Sequence, residues 1–319
     1  MLRLASFVTV AAACSATGHQ PSSTSSDAAP EASAIDAHAI VPDGTVLGGV
    51  DPADDGPSSV SSTTVTIPGA TSSHTLAATI YTPSGVISPA LVVISPGFQM
   101  ARVQYASYAH HLATWGFVAI LTDYADSGFT ADHQLMANDV GAVVTYAIAH
   151  LSIDATKIAL AGHSLGGDIS VLAAAGDSRV KAVVGWDPVD ASNPSVVPEK
   201  MTGFTAKLAV IGETTDASGG FMPCAPAAEN FTRFYAAAPS PAYQLTVVGA
   251  DHMDWVDDGS CALCTLCTAG AAAPELARRA TRRVNVAWLR TQLDGDTAMM
   301  PWLLMPPEVT AGTASVGTK

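Results

Sequence analysis

The stretch Ile158-Ala159-Leu160-Ala161-Gly162-His163-Ser164-Leu165-Gly166-Gly167 runs from an apolar segment straight into Gly-x-Ser-x-Gly, and a helix-like segment, 165–175, follows and closes at Gly176. A strand that turns sharply into a helix lifts a serine hydroxyl clear of the backbone and presents it to a substrate. Glycines flank such a serine because the turn is strained and neighbouring chains leave no room for a Cβ. Ser164 is therefore the candidate nucleophile, and the context of strand and helix carries more weight than the five-residue pattern.

On both sides of that stretch, strand and helix signals alternate. Short apolar runs stand at Thr63–Ile67, Leu76–Tyr81, Ala90–Ser95, Phe117–Thr122, Lys157–Gly162, Val180–Trp186, Leu208–Gly212 and Tyr243–Val248. The middle runs are continuous rather than alternating, as in parallel strands covered on both faces. Residues 131–150 carry Met136, Val140, Val143 and Ala147 on one helical face, with Thr130 as the expected N-cap and Asp132 in the first turn. Pro274 opens a last helix with Leu276, Ala280, Ala287 and Leu293 on its apolar face. The expectation is an α/β fold with a doubly wound, mostly parallel eight-stranded sheet over residues 61–300, its site at the carboxyl ends of the strands.

The ends read differently. Arg3 followed by the small, apolar Leu4–Ala13 reads as an export signal over 1–13, too short to span a bilayer as a helix. Ala11-Ala12-Ala13-Cys14 resembles a bacterial lipoprotein cleavage site, which would make Cys14 a lipidated membrane anchor; plain secretion is the alternative. Residues 14–60, rich in Ser, Ala, Pro, Asp and Gly, read as a flexible linker, and 301–319 as a C-terminal tail with a loose end. Of 319 residues 13% are charged, and a net charge of -14 disfavours nucleic acid and anionic lipid as partners. The arginines Arg278, Arg279, Arg282, Arg283 and Arg290 read as a solvated helix face. With Cys14 set aside, Cys224, Cys261, Cys264 and Cys267 remain. In an exported chain they suggest disulfides of open connectivity rather than a metal or iron–sulfur site.

A serine hydroxyl needs a base, and the base needs a carboxylate to orient it. Only one histidine follows His163, namely His252, placed just after the last apolar run; the order Ser, acid, His suits this fold. The acid is either Asp187, closing the run to Trp186, or one of Glu213 and Asp216 after the next run, the commoner place for it. The oxyanion of the tetrahedral intermediate calls for N–H donors from Leu165 and from Phe98 in Ser95-Pro96-Gly97-Phe98, with Gln99 in reserve.

That last segment, together with Trp115-Gly116-Phe117-Val118-Ala119, the serine motif, Asp187-Pro188-Val189-Asp190, Pro223-Cys224-Ala225-Pro226 and Asp251-His252-Met253-Asp254-Trp255, resembles the chlorophyllases over most of 76–295. More loosely the chain resembles bacterial polyester hydrolases and dienelactone-hydrolase-like esterases. The resemblance implies the α/β-hydrolase fold and Asp187 as the acid. It also implies a serine carboxylic ester hydrolase that works through an acyl-enzyme and needs no metal or organic cofactor. The partner expected is an ester substrate, small or polymeric, for a protein otherwise monomeric. A polyester or lipid hydrolase with Trp186, Trp255, Phe221 and Phe98 lining a cleft is the second reading. A cell-surface binding lipoprotein that kept the fold and lost the chemistry is the third.

Overall fold

The computed structural model describes residues 49–71, 73–124, 132–190, 194–216, 223–258 and 264–319. Residues 1–48, and with them the export signal and Cys14, lie outside the described residues, as do Thr130, Phe221 and Cys261 and the side chain of Cys264. The described residues belong to one compact unit.

Its strands are β1 (Val60–Pro68), β2 (Thr75–Pro83), β3 (Leu91–Ser95), β4 (Val118–Thr122), β5 (Ile158–His163), β6 (Val180–Trp186), β7 (Lys207–Glu213), β8 (Ala242–Val247) and β9 (Ala314–Thr318). They form one sheet in the order β1-β2-β4-β3-β5-β6-β7-β8-β9. The strands from β4 to β8 pair in parallel, and the antiparallel pairs are β1 with β2, β2 with β4, and β8 with β9. Each of the eight apolar runs read from the sequence falls on one of β1 to β8, overrunning it by no more than a residue at either end, and strands β3, β4 and β5 are buried along their whole length. Alternation of side chains across each strand feeds two cores. Leu91, Val93, Val118, Ile120, Ile158 and Leu160 face one side, in the core that packs against the helices α2 (His133–His150), α3 (Leu165–Gly176) and α4 (Phe231–Ala237). Val92, Ile94, Ala119, Leu121, Ala159 and Ala161 face the other, against α1 (Ala106–Thr114) and α5 (Pro274–Leu289). Asp132 itself caps α2, its carboxylate accepting from the Leu135 N–H at 3.0 Å.

The structure corrects three expectations, and one buried cation explains much of the difference. The 301–319 segment is not a loose tail: it forms two short helical turns, α6 (Met300–Leu304) and α7 (Pro307–Thr310), and then β9, which makes the sheet nine-stranded. The end of the 14–60 linker is not free either, for Pro52 and Ala53 are buried. Nor is the arginine run wholly a solvated face. Arg283 on α5 is 2% exposed; it donates to Asp51 Oδ1 and Oδ2 at 2.9 and 2.8 Å and to the Glu308 carboxylate on α7. Arg279 joins it, bonding Asp51 and Asp54. One guanidinium thus ties the segment before β1 and the segment before β9 to the same helix, its planar fork satisfying two carboxylates at once. Breaking a buried pair leaves an uncompensated charge, so Arg283→Ala should cost about 3–5 kcal/mol in urea unfolding. Arg282→Ala, which loses a more exposed pair with Glu275, should cost about 1 kcal/mol or less. Equal effects of the two substitutions would contradict the clamp.

Candidate active site

The site is built where β5 and β6 end. These strands pair in register, His163 opposite Trp186, so the next residue on each, Ser164 and Asp187, leaves the sheet at the same level. Both leave it in the left-handed region of backbone space, with φ of 54° at Ser164 and 42° at Asp187. For residues with a Cβ that conformation costs on the order of 1–3 kcal/mol and persists only where the surroundings enforce it. Here they do. The Ser164 N–H donates to the Trp186 carbonyl at 3.0 Å and the Asp187 N–H to the Ile211 carbonyl at 2.6 Å. The helix α3 then starts so close to β3 that a Cβ on Gly166 would stand 2.1 Å from the Ser95 carbonyl oxygen. A side chain there would push the turn open, which is the physical need behind that glycine.

His252 arrives from the other direction, on the short helical turn His252–Trp255 after β8. Asp251 caps that turn, accepting from the Met253 N–H at 2.8 Å, and also accepts from the Gly270 N–H at 2.7 Å, so the loop is anchored on both sides of the histidine. The imidazole lies between the two strand ends: Nε2 is 2.8 Å from Ser164 Oγ and Nδ1 is 2.6 Å from Asp187 Oδ2. His252 and Asp187 are buried, while Ser164 is half-buried. Burial pushes the Asp187 carboxyl up from the ordinary carboxylate range, and the bond from His252 pulls it back.

The other two carboxylates are buried nearby and have different partners. Glu213 accepts from the Asp216 N–H through both oxygens, at 3.1 and 3.0 Å. Asp216 accepts from the N–H groups of Cys224 and Ala225 at 2.7 and 2.9 Å. Burial, followed by the charge of Asp187, raises the Glu213 carboxyl from the ordinary 4.5 to about 8. Cys224 is bridged to Cys267, stapling the loop after β7 to the segment that follows His252.

Leu165 is the first residue of α3, where the helix supplies no acceptor for the N–H. Phe98 sits on the turn closed by the Met100 N–H on the Gly97 carbonyl at 3.0 Å, and its ring is half-buried against the α2–α3 core. Two of the four aromatic residues expected to line a cleft are instead fully buried. Trp186 donates to Asn285 Oδ1 and Trp255 to Thr281 Oγ1, both at 2.9 Å. These polar ends found partners inside the fold, as buried indoles do.

Sequence reasoning passed over Asp190. Its carboxylate accepts from Val196 N–H at 2.7 Å, Ser195 Oγ at 2.9 Å and Arg233 at 2.8 Å, holding the chain that leaves the Asp187 turn. The repetition of aspartate in Asp187-Pro188-Val189-Asp190 was the available signal.

A family model described as Chlorophyllase matches residues 52–313. Cutinase 1 of Thermobifida cellulosilytica is 26% identical over 238 residues, covering 72% of this chain and 78% of that protein. A Cutinase of Thermobifida fusca (strain YX) is also 26% identical, over 72% of this chain and 68% of its own length. The chain therefore belongs to the chlorophyllase family and is a carboxylic ester hydrolase of the α/β-hydrolase fold.

Proposed function

We propose that this ester hydrolase works through a Ser164–His252–Asp187 triad and an acyl-enzyme. The observation that carries the reading is the unbroken line from Ser164 Oγ through the imidazole to Asp187 Oδ2. A carboxylate only accepts, so it fixes the imidazole proton on Nδ1 and leaves the Nε2 lone pair for the serine proton. Ser164 Oγ attacks the ester carbonyl as Nε2 takes its proton. The N–H groups of Leu165 and Phe98 receive the oxyanion, and the carbonyl–alkoxy bond breaks as Nε2 returns the proton to the leaving alcohol. Water repeats the sequence on the acyl-enzyme and releases the acid.

Asp187 suits the orienting role better than Glu213. With its carboxyl raised to about 8, Glu213 carries a proton at neutral pH and offers His252 no negative charge. Asp216 spends an oxygen on two loop N–H groups.

The substrate is an apolar ester, cutinase-like in admitting a polymer. Val103, which follows the Phe98 loop, is 63% exposed, and Leu266 beside the bridged Cys267 is 48% exposed, two apolar side chains open to such a substrate. The protein is exported: the basic and then apolar Arg3–Ala13 supports it, as does the Cys224–Cys267 bridge, which persists in oxidising compartments. Cys14 is the residue that would carry a lipid.

Ser164→Ala should lower kcat/KM for p-nitrophenyl butyrate by about 10⁴-fold or more, and Asp187→Asn by about 10³–10⁴-fold. Glu213→Gln should keep most of the activity. If Glu213→Gln is dead and Asp187→Asn active, the acid has been misassigned. A panel of short esters, chlorophyll and a polyester film reads the substrate class, and turnover of water-soluble short esters alone would contradict the polymer reading. Between pH 4.5 and 8 the folded chain keeps the Glu213 proton that the unfolded chain has released, so the contribution of Glu213 to stability falls as pH rises through that window. Glu213→Gln removes this dependence. Its stability relative to wild type in urea should therefore grow from pH 5 to pH 8, and a difference constant with pH would contradict the raised carboxyl.

A further inference from the structure

A second line of hydrogen bonds joins the oxyanion side of the site to its base. The Gly97 N–H donates to Tyr105 Oη at 3.2 Å. Tyr105 Oη lies 2.8 Å from His163 Nδ1, and His163 Nε2 lies 2.8 Å from the His252 carbonyl oxygen. Tyr105 and His163 are both buried, Tyr105 completely. Elimination assigns every proton. A carbonyl oxygen only accepts, so His163 Nε2 carries a hydrogen. A neutral imidazole has one, so Nδ1 is bare and takes the tyrosine hydrogen, which leaves the phenolic oxygen to accept from Gly97. Neutrality follows from the setting: burial first, then the neighbouring His252, holds His163 well below the usual histidine range.

Resting on the triad reading above, we propose that His163 and Tyr105 are positioning residues that set the Phe98 N–H and the His252 backbone from a single hydrogen-bonded line. At one end, Gly97 is held twice, its N–H by Tyr105 and its carbonyl by Met100. A trans peptide points its N–H opposite to its C=O, so fixing the Gly97 carbonyl fixes the direction of the Phe98 N–H. A Cβ on Gly97 would stand 3.1 Å from both His163 Nδ1 and Tyr105 Oη, so a side chain there would press directly on the line. At the other end, the bond to the His252 carbonyl fixes the peptide from which the general base projects. The His163 ring also packs against the His252 ring at 4.7 Å between centroids and stacks on Trp255 at 6.3 Å, so the imidazole cannot turn away from its partners. The residue before the nucleophile thereby acts on the base and on the oxyanion loop without touching substrate.

Three variants and one spectrum test this. His163→Gln keeps an acceptor and a donor on one planar group, whereas His163→Leu keeps only bulk. His163→Leu should lower kcat by about 100-fold with KM nearly unchanged, the scale of a misplaced reacting group. His163→Gln should recover most of that loss, and Tyr105→Phe should lower kcat by about tenfold without a matching change in KM. Packing alone predicts the reverse order, because an apolar side chain suits a buried site better than an amide; His163→Leu as active as His163→Gln overturns the proposal. Nitrogen-15 spectra of histidine-labelled protein read the line independently of activity, the signals lost in His163→Gln identifying the residue. Wild-type His163 should show a protonated Nε2 and a bare Nδ1, unchanged from pH 5.5 to 8.5. A proton on Nδ1, or titration within that range, overturns the assignment. Wild-type protein inert toward every ester overturns the triad reading instead, and the spectra still decide the hydrogen-bonded line.

Discussion

The pairing of His163 with Trp186 across β5 and β6 is the constraint on which the site rests. Two parallel strands that end in register deliver two residues to one rim, about one strand spacing apart. Both residues turn with positive φ and both donate their N–H to a neighbouring strand. The serine and the aspartate are therefore placed by the sheet rather than by their side chains. The histidine loop has only to reach across the gap, and its anchor at Asp251, together with the Cys224–Cys267 bridge, limits where it can go.

Three buried carboxyls near one imidazole would be hard to keep charged together. The structure divides their roles by environment. Asp187 faces the histidine, Asp216 is spent on the N–H groups of its own loop, and Glu213 accepts from the backbone with its acidity weakened by burial and by Asp187. One carboxylate then faces the His252 imidazole. His163 contributes a neutral ring on the other side, so no second cation competes for Asp187.

Most of this was legible in the sequence because it has short-range signatures. The eight apolar runs, the glycine-flanked serine and the lone downstream histidine all announce themselves within ten residues. A preference for Asp187 over Glu213 and Asp216 was not legible from pattern, since each stands at or just after a strand end; it came from resemblance to a family, and in the structure Asp187 is the one of the three bonded to His252. The strand β9 escaped notice because Ala314-Ser315-Val316-Gly317-Thr318 has little apolar content, and an edge strand needs only its backbone to pair. Arg283 looked like solvent-facing charge because its partners, Asp51 and Glu308, lie 232 and 25 residues away. In the sequence His163 shows only as a neighbour of Ser164, and Tyr105 carries no local motif. Long-range partners of this kind leave no spacing to read.

The central claim is that Ser164 is activated by the geometry around it. Reaction with a p-nitrophenyl phosphonate ester, followed by peptide mapping, tests it most directly, because the reagent needs both a serine made nucleophilic by its base and donors for the phosphoryl oxygen. The account predicts one phosphonyl group per chain, on Ser164. Stoichiometric labelling at another serine, or a chain that stays unlabelled while fully folded, would contradict it.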